Sequence, residues 1–140
     1  MKSYTIDQLT EGLAAEESFF ITEEMGRKFA EVSGDTNPVH LETEYARNTK
    51  FGNRIAHGML IGSFISKVIG TELPGEGSIY MKQDMKFVSP VYYGDTITVK
   101  VVVKELQREK GRVILTTDCY NQDGKTVIAG EALVMPKEEK

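Results

Sequence analysis

The pattern of apolar and polar positions changes character near residue 75. Before it, apolar residues recur at helical spacing. Thr22 followed by Glu23 and Glu24 is a capped, dipole-matched helix start, and Met25, Phe29 and Val32 carry its apolar positions as far as Gly34. A short strand, ESFFI, precedes it, and Thr43 before EYARN predicts a second, short helix. The segment HGMLIGSFISKVIG, His57 to Gly70, is apolar round most of its circumference and predicts a buried helix.

After the turn LPGEGS the chain becomes strand-like. SIYMKQDMKFV, TITVKVVVKEL, RVILTTDCY and TVIAGEALV are rich in β-branched residues and are separated by SPVYYGD, QREKG and NQDG. In TITVKVVV, Ile97, Val99, Val101 and Val103 share one face while Val102 takes the other, so the second face is expected to be partly covered. Asp123-Gly124 is a hairpin signal, which favours antiparallel connections. A buried helix followed by four long strands predicts an α+β fold, with an antiparallel sheet wrapped around a long central helix.

Composition narrows the function classes. With 140 residues the chain predicts one domain over its whole length, with the last five residues, PKEEK, as a loose tail. A formal charge of −4 argues against a nucleic-acid partner held through phosphates. Cys119 is the only cysteine, which excludes an internal disulfide and fits a reducing cytoplasm. MKSYTIDQLT lacks the apolar run of a secretory signal, and Ile55 to Ile69, interrupted by His57 and Lys67, is too short and polar to span a membrane. Two histidines and one cysteine without ligand spacing predict no metal site, and LPGEG lacks the Lys-Ser/Thr of a phosphate loop.

The densest chemistry lies in SGDTNPVHLE, Ser33 to Glu42. Five positions apart on an ideal helix, Asp35 and His40 would point about 140° away from each other. Pro38 breaks such a helix and pushes Asn37 toward extended geometry, so a turn is expected to bring the two side chains together. A carboxylate and an imidazole at one point can hold a water and move a proton. From these residues alone, the segment reads more readily as a turn in which Asp35 and Asn37 only bond their own backbone, with His40 a satisfied partner. His57, at the head of the buried helix, is read as capping that helix or bonding a neighbouring loop.

Longer runs carry a resemblance. FAEVSGDTNPVHLETEYA, followed by RIAHGMLIGSFISKVIGTELPGEGSIYMKQDMKFVSPVYYGDTITVKVVV, is similar to the MaoC-like (R)-specific enoyl-CoA hydratases, from about Phe29 to the final strand. That resemblance implies the hot-dog fold and a homodimer or higher homo-oligomer. It implies addition of water to a trans-2-enoyl-CoA, giving an (R)-3-hydroxyacyl-CoA, with no cofactor beyond the thioester substrate. Asp35 and His40 match the catalytic pair that holds the water, and Gly58 matches the glycine whose N–H bonds the thioester oxygen. Asn37 stands where the motif braces its loop, and Ser66 matches a position near the acyl chain. Ile69 falls near the end of the acyl pocket, where it is expected to favour short chains. A 3-hydroxyacyl-[acyl carrier protein] dehydratase, a hot-dog thioesterase and a non-catalytic thioester-binding subunit are the competing readings.

Physical chemistry supports those roles. Water addition puts negative charge on the thioester oxygen, and a helix N-terminus offers unpaired N–H groups to meet it. Gly58, Gly62 and Ser66 follow i, i+4, i+8 and form a small-residue stripe, which either holds the acyl thioester or lets a strand pack closely. Arg47, Lys50 and Arg54 are candidates to meet CoA phosphates or an acidic carrier.

Overall fold

A computed structural model, describing residues 1–139, builds the chain as one antiparallel sheet with a helix against it. In chain order the elements are β1 (Ala14–Phe20), α1 (Glu23–Ser33), α2 (Pro38–Leu41), α3 (Thr43–Arg47), α4 (Gly58–Thr71), β2 (Ile79–Gln83), β3 (Lys86–Phe87), β4 (Thr96–Gln107), β5 (Arg112–Tyr120), β6 (Thr126–Ala129) and β7 (Glu131–Met135). The strands run β1-β4-β5-β6-β3, while β7 also pairs with β5 and carries β2 on its other side.

Local chemistry accounts for the helices. Thr22 accepts a hydrogen bond from the Met25 N–H to open α1, and Gly34, at φ 79°, ends it by returning its N–H to the Ala30 carbonyl. On α4, Leu60, Ile61, Ile65, Val68 and Ile69 are buried against the strands. Alternation in β4 puts Ile97, Val99, Val101 and Val103 into the same core, joined by Val113 and Leu115 of β5. Each such side chain contributes roughly 1.5–3 kcal/mol of burial, which fixes α4 on the sheet. Val102, on the other face of β4, is half-buried, as its place in the pattern predicts.

Three expectations change. SIYMKQDMKFV is two strands rather than one: β2 pairs with β7 and β3 with β6. TVIAGEALV likewise divides at Gly130 into β6 and β7. The breaks face each other, because the Asp84 carboxylate and N–H both bond Glu131, and a Cβ on Gly130 would stand 2.1 Å from the Asp84 carbonyl oxygen. The expected loose tail is held at its start, with Pro136 buried and Lys137 bridged to Thr5.

Candidate active site

The segment after α1 is built from successive short-range hydrogen bonds, each from a backbone N–H to the side chain two residues before it. The Asp35 N–H donates to Ser33 Oγ at 3.1 Å, the Asn37 N–H to Asp35 Oδ1 at 3.2 Å, and the Val39 N–H to Asn37 Oδ1 at 3.3 Å. Asn37 thereby caps α2, and Pro38 occupies its first turn, where a missing N–H costs nothing. The expected turn is therefore a turn followed by a four-residue helix: Gly34 has already ended α1, and Pro38 starts α2. The side-chain oxygen of Asn37 thus closes the turn locally, at the position expected to brace the loop.

That helix carries His40 back toward Asp35 and against His57. His40 Nδ1 lies 2.8 Å from the Ile55 carbonyl oxygen, and His57 Nε2 lies 3.0 Å from the Asp35 carbonyl oxygen. A carbonyl only accepts, so each of these ring nitrogens carries the hydrogen in the neutral imidazole. The opposite nitrogens, His40 Nε2 and His57 Nδ1, are left with bare lone pairs. The two rings stack with centroids 3.9 Å apart. Burial holds the His40 ring below its ordinary pKa, opposed by the Ile55 hydrogen bond.

Asp35, His40, His57 and Gly58 line one cavity of about 500 Å³. Gly58 opens α4, where the first N–H groups have no acceptor within the helix. A Cβ there would come within 2.6 Å of the Phe87 ring, so the glycine admits Phe87 as a cavity wall. At Gly62 a Cβ would meet Met85 Sδ at 3.0 Å. The two glycines of the small-residue stripe are thus covered by β3 and the residue before it.

Ser66 and Ile69 stand apart from this cavity. Ser66 is exposed and lines a neighbouring groove with Met59, Gly62, Tyr80 and Met85, Met59 being common to both. Ile69 lines neither space; it is a core residue, and the end of α4 is covered by the turn that returns the Gly75 N–H to the Ile69 carbonyl. The expected pocket-closing position is corrected by distance: eleven residues beyond Gly58 is about 16 Å along the helix. Arg54 is also committed elsewhere, paired with Glu23 and lying over the Tyr93 ring, whereas Lys50 lines the cavity.

Comparison with known proteins agrees with this architecture. The family model described as a MaoC like domain matches residues 7–124. The chain belongs to the MaoC-like family. It is 48% identical to an "(R)-specific enoyl-CoA hydratase" of Rhodospirillum rubrum over 129 residues, covering 92% of this chain and 89% of that one. It is 40% identical to a mitochondrial "3-hydroxyacyl-[acyl-carrier-protein] dehydratase" of Arabidopsis thaliana, covering 76% of this chain and 64% of that one. Among solved structures it superposes on the unliganded R-hydratase PhaJ1 of Pseudomonas aeruginosa with a TM-score of 0.91 and 47% identity, covering 96% of this chain and 86% of that one. Its fold is the hot-dog fold.

Two further residues brace this MaoC-like site without an expectation from the sequence. The Tyr93 hydroxyl donates to the His40 carbonyl at 2.9 Å, and a Cβ on Gly26 would overlap that hydroxyl at 2.1 Å. An isolated glycine inside the helical pattern of α1 was the available signal of close approach. One ligating atom from each of Asp35, His40 and His57 also lies within 4.8 Å of the others. The MaoC-like site thus holds one donor set with metal-like spacing, but His57 Nδ1 is sealed from solvent and the other His57 nitrogen is engaged.

Proposed function

We propose that the protein is an (R)-specific enoyl-CoA hydratase acting on short trans-2-enoyl-CoA. The observation that carries this reading is the His40–Ile55 hydrogen bond, which leaves a bare His40 Nε2 in the same cavity as the Asp35 carboxylate and the Gly58 helix terminus. His40 Nε2 takes a proton from water as the water oxygen bonds C3 of the enoyl group. Asp35 holds that water, and the proton gained by His40 passes back through the pair to C2, so both parts of the water end on the substrate and the pair regains its starting protonation. The Gly58 N–H receives the charge that develops on the thioester oxygen. The proton transfers are assigned to these two side chains, with no metal or cofactor.

The covered stripe supports a preference for short chains. Phe87 over Gly58 and Met85 over Gly62 occupy the path along α4 that a longer acyl chain would need. Ser66 is assigned to the groove beyond Met59, where the distal end of such a chain would emerge. A dehydratase of carrier-protein-bound 3-hydroxyacyl groups uses the same site in reverse, and the name of the Arabidopsis relative favours keeping it as the second reading.

Homodimerisation is supported by the free edge that β2 presents. Among the described residues it pairs only with β7 and exposes Ile79, Tyr80 and Met81; Phe87 and Val88 are exposed too. Among the described residues no helix is long and apolar enough to cross a membrane, and the lone buried Cys119 is in keeping with a reducing cytoplasm. Incubation with crotonyl-CoA, following loss of the conjugated thioester and release of free thiol in parallel, tests the function. Hydration consumes the first without producing the second.

A further inference from the structure

His57 is 2% exposed and belongs neither to the pair that moves protons nor to the N–H groups that meet the thioester. It nevertheless touches every part of that machinery. Its Nε2 reaches the Asp35 carbonyl at 3.0 Å, its ring stacks on His40 at 3.9 Å between centroids, and its own backbone leads directly into Gly58. Phe29 of α1 packs against it as well, with ring centroids 5.0 Å apart. Its side chain makes no hydrogen bond within α4, although it stands at the capping position.

We infer that His57 is a positioning residue, a clamp that sets the Asp35 loop and the His40 ring relative to the first N–H of α4. The inference rests on the hydratase reading for its kinetic consequence, but not for its structural one. The site draws on two separate stretches: the Asp35 loop continuous with helix α2, and the start of α4. His40 is tied to the second stretch through Ile55, and His57 adds the link to the Asp35 loop, where misplacement by a fraction of an ångström costs a reaction that needs water, C3 and base in line. The hydrogen bond fixes the loop and the stack fixes the ring. His57 Nδ1 is buried with no hydrogen-bond partner, so the link runs through Nε2 alone and depends on the Nε2–H tautomer.

Two substitutions separate the parts of this role. His57→Phe keeps the ring and its stack on His40 but removes the donor to Asp35. His57→Gln restores an N–H near the Nε2 position. With crotonyl-CoA, His57→Phe should lower kcat by about 10–100-fold with KM changed less than about threefold, and His57→Gln should recover at least about a third of that loss on a logarithmic scale. Thermal midpoints measured on the same samples identify a variant that merely unfolds, and any loss of rate is read only below that midpoint. Wild-type kcat from folded His57→Phe, or a folded His57→Gln as slow as His57→Phe, overturns the clamp. Long-range ¹H–¹⁵N NMR of the ring nitrogens in the full chain supplies a reading independent of turnover: neutral His57 should show the hydrogen on Nε2, and a hydrogen on Nδ1 overturns the inference whatever the protein catalyses. If the wild-type protein has no hydratase activity but His57 shows the Nε2–H tautomer, the proposed function fails and the clamp stands.

Discussion

His40 Nδ1 lies 2.8 Å from the carbonyl oxygen of Ile55, fifteen residues along the chain, and this single contact decides which nitrogen of the ring is basic. Burial lowers the pKa of that ring below its ordinary value of 6.5, and the Ile55 bond opposes the shift. The base works while neutral, so kcat/KM should persist as the pH falls through 6.5, and its acid limb should centre below that value. In the unfolded chain the ring takes up its proton near pH 6.5. Its contribution to stability is therefore complete above that pH and is lost as the pH falls toward the lower folded value. A pH–rate profile checks the first statement, and an acid limb centred above about pH 7 contradicts it.

Asp35 and His40 should behave as one device. Asp35→Asn and His40→Ala are each expected to lower kcat by about two to four orders of magnitude with the fold retained. The double variant should be little slower than the slower single one, because either change alone disables the shared water. Steady-state kinetics on the three proteins, with circular dichroism as the control, decides this. Losses that simply multiply would mean two independent roles.

Gly58 and Gly62 of α4 should respond differently to an added methyl. Gly58→Ala drives a Cβ into the Phe87 ring at the head of the cavity and should lower kcat/KM by about 10–100-fold. Gly62→Ala meets only the flexible end of Met85 and should cost less than about tenfold. Equal losses at the two positions would remove the special standing of Gly58.

Chain-length preference should follow Met85 rather than Ile69. Met85→Ala opens the covered stripe and is expected to raise kcat/KM for an eight-carbon enoyl-CoA relative to crotonyl-CoA. Ile69→Ala should leave that ratio unchanged and destabilise the protein by about 2–5 kcal/mol, the cost of a truncated core residue. Denaturant titration and the two specificity constants together test both statements.

Association is checked by light scattering. The apolar β2 edge leads us to expect at least a dimer at micromolar concentration. A fully active species of 15.6 kDa alone would contradict it.

Much of this was legible in the residues, and what escaped has a common cause. Thr22 and Gly34 mark the two ends of α1 because capping is local chemistry, and Asp123-Gly124 marks the β5–β6 turn for the same reason. The pair Asp35 and His40 came from a compact motif whose hydrogen bonds span only a few positions. The breaks at Asp84 and Gly130 were hidden because each exists only opposite the other, 46 residues apart in sequence and touching in space. Ile69 was misplaced because helical periodicity gives the direction of a side chain and says nothing of how far along the axis the cavity extends. Arg54 was a free charge on paper and is paired with Glu23 in the fold. The first sixteen residues carried little signal, since Ser3 and Thr5 are held by Gly75 and Lys137 rather than by their neighbours.

The most direct test of the account is the configuration of the product formed from trans-2-crotonyl-CoA by the purified, folded protein, read by chiral chromatography after hydrolysis of the thioester. Addition of water by Asp35 and His40 on one face predicts (R)-3-hydroxybutyryl-CoA alone; the S isomer, or free CoA released without hydration, would contradict it.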